Sequence, residues 1–292
     1  MNSNFLKLMF SLMIIGIFGI FTACGPAQKE KTEEVETPEP KGIVEQEIDY
    51  QYDSLNMKGY LAYDADIEGK RPAILVVHEW WGHNDYPRSR AKQLAEMGYV
   101  AMSIDMYGDG KTADHPENAQ KFMREALSDI ELAQARFDAA VEVVKSQNVT
   151  DTDKIAAIGY CFGGAVVLHM ARVGKDLDGV VSFHGSLGTQ APAQPGQVMA
   201  RVLALNGADD PFVPEDQIQN FKDEMESAGV AYEFVNYEGA QHAFTNPAAT
   251  ENGEKFNLPL AYNEDADQQS WAKMQEFFDQ IFDYNTASVD EQ

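Results

Sequence analysis

Lys154-Ile155-Ala156-Ala157-Ile158-Gly159-Tyr160-Cys161-Phe162-Gly163-Gly164-Ala165 decides the fold. An apolar run (154–159) fits a buried strand, a Gly-rich turn follows, and helical spacing runs from about Gly164 to Val173. Between strand and helix the pattern is Gly-x-Cys-x-Gly. A nucleophile on such a turn has an unusual backbone conformation, and side chains at the flanking positions would collide with the neighbouring strand and helix. The turn sets the Cys161 thiol near a helix N-terminus, where the dipole favours negative charge. It also aims the Phe162 backbone N–H at a developing oxyanion. The alternative for the same residues is a buried structural thiol on a Gly-rich turn, since free cysteine often acts as a small hydrophobe.

Outward from this turn, strands and helices alternate. Residues 45–53 and 55–64 alternate as an N-terminal hairpin. Short apolar runs at 72–78, 99–105, 178–183 and 201–206 fit buried parallel strands, and 232–237 reads as a further strand. Helical spacing occupies 88–97, one long stretch from Pro116 to Gln147, then 214–228 and 266–282. This order predicts an α/β fold, a mostly parallel central sheet with helices on both faces, in one domain of about residues 43–285 with a short tail at 286–292. Ligands in such sheets bind beyond the carboxyl ends of the strands. The loop at 189–198, rich in Ala, Pro and Gln, is a candidate lid.

Partners for a nucleophile are expected in the chain order nucleophile, acid, histidine. After the run 201–206 comes Gly207-Ala208-Asp209-Asp210-Pro211-Phe212-Val213, which offers Asp209 or Asp210 as the acid. After 232–237 comes Glu238-Gly239-Ala240-Gln241-His242-Ala243-Phe244. Of six histidines, His242 follows both the acid loop and the last strand; His184 precedes the acid. In this arrangement His242 takes the thiol proton and later protonates the leaving group. The carboxylate fixes the imidazole tautomer, and Cys161 carries a thioester intermediate.

The N-terminus differs in kind. Lys7 is the only charged side chain before position 24, and a nearly all-apolar run from Phe5 to Phe21 leads into Phe21-Thr22-Ala23-Cys24-Gly25. This layout is that of a secretory signal, and the cleavage site resembles a bacterial lipobox, with Phe21 where leucine is usual. The expectation is a signal peptide at 1–23, lipidation of Cys24, and a disordered tether at 24–42 rich in Glu, Thr, Pro and Lys. The expected setting is an exported protein held on the bilayer, at the periplasmic or outer surface. With Cys24 lipidated, Cys161 is the one remaining thiol of two and no internal disulfide can form. The 292 residues carry a net charge of −25, which argues against nucleic-acid partners. With no cysteine pair and no His-x-x-x-His helix, neither metal nor cofactor is expected. Oligomeric state is left open.

Gly159-Tyr160-Cys161-Phe162-Gly163-Gly164 resembles the signature of the dienelactone hydrolase family, within the α/β-hydrolase superfamily. Val76-Val77-His78-Glu79-Trp80-Trp81-Gly82, Asp105-Met106-Tyr107-Gly108, the Asp210 loop and Gly239-Ala240-Gln241-His242-Ala243-Phe244 extend the resemblance from about Ile43 to the C-terminus. It implies an α/β-hydrolase fold and hydrolysis of small-molecule esters or lactones. In related hydrolases the acid lies three residues after the Gly and three before the Val, which selects Asp210. The resemblance also implies that Glu79 meets the thiol in the resting site and accepts its proton when substrate arrives. A carboxylate in that position disfavours a second negative charge and so protects the thiol from oxidation. By the same resemblance, Trp80 N–H is the second oxyanion donor. Trp80, Trp81, Tyr107, Tyr160 and Phe244 are candidates for an aromatic substrate pocket, with core packing as their alternative. The family's dienelactone-specific members carry an Arg shortly after the histidine; His242 is followed by Ala243-Phe244-Thr245-Asn246-Pro247, without a cation. That departure counts against dienelactone itself, not against ester or lactone hydrolysis. Two other readings remain: an extracytoplasmic esterase acting on esterified carbohydrate, and a non-catalytic ligand-binding lipoprotein on a hydrolase fold.

Overall fold

A computed structural model describes residues 41–282. The expected signal peptide, Cys24, most of the tether, and the tail from 286 lie outside the described residues. Strands β1 (Ile43–Tyr52), β2 (Leu55–Asp64), β3 (Arg71–Val77), β4 (Val100–Ile104), β5 (Thr150–Tyr160), β6 (Gly179–Phe183), β7 (Arg201–Gly207) and β8 (Tyr232–Tyr237) form one sheet. Its order is β1-β2-β4-β3-β5-β6-β7-β8. The β1–β2 and β2–β4 pairings are antiparallel and the rest are parallel.

Every residue of β3 and β4 is buried, as strands covered on both faces must be. Alternation decides which residue meets which layer. Ala73, Leu75 and Val77 point into the core beneath α3 (Ile130–Lys145), α4 (Phe162–Arg172) and α5 (Glu215–Ala228), against Phe137, Val167 and Phe221. Ile74 and Val76 point the other way, toward α1 (Asp85–Glu96) and α7 (Glu264–Phe282), against Leu94, Met274 and Phe278.

The structure corrects several boundaries. The stretch from Pro116 to Gln147 is two helices, α2 (Pro116–Leu127) and α3, because the Asp129 carboxylate accepts the Leu132 N–H and starts a new helix. Helix α4 begins at Phe162, two residues earlier than the periodicity indicates, so Cys161 is its N-cap. β5 begins at Thr150 rather than Lys154. A helix that the sequence pattern did not announce, α6 (Ala249–Phe256), follows the histidine loop. The loop at 189–198 is pinned: Ala193 N donates to Glu224 at 2.7 Å, just after Leu187 N donates to Gln217 at 2.8 Å.

Candidate active site

The carboxyl ends of β3, β5, β6, β7 and β8 converge on Cys161. Its backbone has φ 53° and ψ −113°, a conformation rare for a side-chain-bearing residue. Two glycines make the turn possible. A Cβ on Gly159 would lie 2.1 Å from the Gly163 carbonyl oxygen, and one on Gly163 would lie 2.3 Å from that of Val77. The Cys161 N–H is shared between the Phe183 carbonyl at 3.0 Å and His184 Nδ1 at 3.1 Å.

The Cys161 Sγ lies 3.1 Å from His242 Nε2. His242 Nδ1 lies 2.7 Å from Asp210 Oδ2, and the Asp210 side chain is fully buried. Asp210 Oδ1 accepts the Phe212 N–H at 2.8 Å, which fixes the carboxylate plane. Asp209 is exposed; its N–H ties the loop to the Ala240 carbonyl. Burial disfavours a charged His242, but the Cys161 sulfur beside it and Asp210 behind it outweigh that and push it up to about 10. The geometry therefore suits a charged imidazole held between the Cys161 sulfur and the Asp210 carboxylate.

Phe162 N–H belongs to the first turn of α4 and has no intrahelical acceptor. Trp80 N–H donates to no backbone carbonyl outside helices and strands among the described residues. Tyr107 Oη donates to the Trp80 carbonyl at 3.0 Å, and His78 stacks on the Phe162 ring with centroids 5.6 Å apart. Both side chains thus brace the two candidate oxyanion donors.

Glu79 is buried nearby, but its hydrogen-bond partner is Asn246, whose Nδ2 donates to Oε2 at 2.6 Å. Its other oxygen is buried without a hydrogen-bond partner. Here the thiol meets His242 and not Glu79. Burial raises the Glu79 carboxyl; Asn246 and the positive charges of His242 and Arg90 pull it partly back, leaving it at about 7 against an ordinary 4.5. A raised folded-state pKa contributes stability that is complete below about 4.5 and is lost as pH rises through about 7. The span corresponds to up to about 3 kcal/mol. Glu79→Gln should therefore gain on the wild type by up to about that amount between pH 5 and pH 8 in urea unfolding. Any fixed packing cost of the amide cancels from this difference. A pH-independent difference would remove the burial argument.

The remaining aromatic candidates lie behind the cavity wall. Tyr160 is fully buried and stacked on Phe183 with centroids 4.8 Å apart. Phe244 is fully buried between His184 and Tyr237. Tyr107 lies under Phe162. Trp81 packs on Phe256 and faces a separate cavity with Tyr86 and Asn246. Of the aromatic set, Trp80 alone borders the space over Cys161, which is otherwise largely aliphatic: Met123, Leu127, Leu258 and Leu260, with Phe212 edge-on to His242.

Sequence order had set aside His184, yet it accepts the Cys161 N–H. Burial, reinforced by His242 and Arg90, holds it well below the usual histidine range. It is thus neutral, with Nε2–H donating to Thr245 Oγ1 at 2.7 Å. Thr245 bonds Tyr86 Oη at 2.6 Å, and Arg90 Nη2 is fixed on Asp267 at 2.6 Å. Its place directly after β6, beside the strand that leads into Cys161, was the available signal. No metal-binding cluster occurs among the described residues.

Residues 57–282 match the model of the dienelactone hydrolase family, and the chain belongs to that family. It is an enzyme of the class that hydrolyses ester and lactone bonds. Among its relatives is a probable 2-oxo-3-(5-oxofuran-2-ylidene)propanoate lactonase of a Bradyrhizobium species. The two are 31% identical over 65% of this chain and 80% of that protein. A solved dienelactone hydrolase-like promiscuous phosphotriesterase from metagenomic libraries is 31% identical, covers 82% of this chain and 99% of its own, and superposes with a TM-score of 0.75. The α/β hydrolase MGS-M1 from a Medee basin deep-sea metagenome library covers 84% of this chain and 100% of its own. At 18% identity and a TM-score of 0.60 it is alike in fold alone.

Proposed function

We propose that the chain hydrolyses small-molecule carboxylic esters or lactones through a thioester on Cys161, with His242 and Asp210 as its partners. The observation that carries this is the continuous contact from Cys161 Sγ through His242 to the buried Asp210, opening on an apolar cavity. The thiolate attacks the carbonyl carbon, and the carbonyl oxygen takes negative charge toward the Phe162 and Trp80 amides. Collapse breaks the C–O bond, and His242 gives its proton to the departing alcohol, or to the opened end of a lactone. A water then attacks the thioester; His242 takes its proton, the acid leaves, and the thiolate–imidazolium pair is restored.

The role that the resemblance implies for Glu79, accepting the thiol proton, is supported by its burial and its pKa near neutrality but not by contact, because its partner here is Asn246 and the sulfur meets His242. Among the described residues, the wall over Cys161 holds no cation besides His242, which is already committed to Cys161 and Asp210, and this speaks against a substrate carboxylate there. The cellular setting in this proposal is export and anchoring through Cys24, supported by the sequence of residues 5–25 alone.

Rapid quenching with a p-nitrophenyl ester followed by intact-mass analysis tests the thioester. The wild type should carry one acyl group, lost on treatment with neutral hydroxylamine, which cleaves thioesters. Cys161→Ser should carry only a hydroxylamine-resistant oxygen ester or none. Turnover without any adduct at residue 161 would reject the mechanism.

A further inference from the structure

The cavity over Cys161, about 390 Å³, does not end at the reacting atoms. A second cavity of about 370 Å³ adjoins it, and the two share Leu127, Ala165 and Gly188 as walls. The second runs along α4 between the start of α3 and the loop at 188–191, past Ile130, Val166 and Met170. Cys161, Ala165 and His169 are spaced i, i+4, i+8, so one stripe of α4 floors the groove from the nucleophile outward. At the rise of an α-helix that stripe is roughly 12 Å long. An extended hydrocarbon chain advances roughly 1.25 Å per carbon, given bonds near 1.5 Å, so roughly eight to ten carbons span it.

The chemistry of the walls narrows the occupant. Among the described residues that line the cavity over Cys161, the only titratable groups are the thiol and His242. In the second cavity Arg172 is committed: it pairs with Glu224 at 2.8 and 2.9 Å and donates to the Leu187 carbonyl at 2.8 Å. His169 is held below the usual histidine range by burial and by the neighbouring Arg172 and Lys175. Neither offers a free cation to a carboxylate. Leu127 and Ile130, each 40% exposed, and Phe212, 49% exposed, instead keep apolar surface in water along the groove. A ligand that covers them gains hydrophobic free energy.

We propose that this groove is an extended binding site for an unbranched, uncharged hydrocarbon chain of about eight carbons carried by the ester, running from Cys161 along α4 toward His169. The inference rests on ester hydrolysis at Cys161 and names the substrate class of that site.

Two homologous series test it: p-nitrophenyl alkanoates from acetyl to decanoyl, and acetate esters of alcohols from ethanol to decanol followed by proton release. One series should gain about fourfold in kcat/KM per methylene up to about eight carbons and then level off. The series that rises shows whether the groove takes the acyl or the alcohol side.

Ile130→Glu is the matching variant. Position 130 opens α3, where a carboxylate suits the helix dipole and the fold should hold. The charge it puts into the distal cavity should lower the octanoyl-to-acetyl ratio of kcat/KM (octyl-to-ethyl in the alcohol series) by about tenfold. Ile130→Trp, which fills the same space without charge, should lower it in the same direction. Flat or falling rates beyond four carbons in both series, or ratios unmoved in both variants, overturn the inference while leaving hydrolysis at Cys161 intact. If no ester is turned over and no adduct forms on Cys161, the functional reading fails and takes this inference with it.

Discussion

Cys161→Ala lowers kcat/KM toward small aryl esters by about 10⁵- to 10⁶-fold, the loss expected when a covalent nucleophile is removed from an otherwise intact site. The alanine fits the same φ of 53° no worse than cysteine does, and the Cys161 N–H keeps its acceptors at Phe183 and His184. The fold should therefore survive, and far-UV circular dichroism and the unfolding midpoint check that it does. What disappears is the sulfur 3.1 Å from His242 and, with it, the thioester route. His242 then loses the sulfur beside it and falls from about 10 toward the range of a buried imidazole paired with Asp210 alone. Proton-detected NMR of that ring gives a second readout, independent of turnover. Wild-type rates in Cys161→Ala would place the nucleophile elsewhere. A protein that binds ligand but shows no turnover and no adduct before mutation would favour the binding-lipoprotein reading.

The parts of this site that sequence order could reveal are those where local chemistry and chain position coincide. Gly159 and Gly163 are demanded by contacts of a Cβ with backbone one turn away or on the adjacent strand, so they mark the nucleophile turn wherever it occurs. Asp210 follows a strand whose apolar run is plain to read, and His242 follows a strand that mixes aromatic and polar residues but keeps the chain order of acid then base. The cavity wall was not legible for a different reason. Aromatic residues near the motifs are large and apolar, and Tyr160, Phe244 and Tyr107 satisfy that by filling space behind the site. The wall comes instead from Met123 and Leu127 on α2 and from Leu258 and Leu260 after α6, segments with no motif. Helical periodicity shows that α2 has an apolar face but not what the face meets. It also passed through Ser128 and Asp129, because the break there depends on one side-chain cap rather than on a loss of pattern. Asn246 reaches Glu79 across 167 positions, a pairing no local spacing encodes.

Asp210→Asn should lower kcat by about 10⁴-fold while leaving the fold in place. The carboxylate is fully buried, accepts from Phe212 N–H through one oxygen, and meets His242 Nδ1 at 2.7 Å through the other. An asparagine amide can keep one of these contacts as an acceptor. If its oxygen stays with Phe212 N–H, its NH₂ faces Nδ1 and forces that nitrogen to accept. The proton then sits on Nε2, the nitrogen that must exchange protons with Cys161 and the leaving alcohol, and the imidazolium loses its counter-charge. His242 should also titrate lower, since Asp210 helps to raise it, and the rate should depend more steeply on pH above neutrality. Asp209→Asn is the matched control. That side chain is exposed and lies outside the contact chain, so its rate should stay within about twofold of wild type. Equal losses in the two variants would mean that the loop's charge matters rather than the tautomer that Asp210 enforces. A large loss confined to Asp209 would reassign the acid.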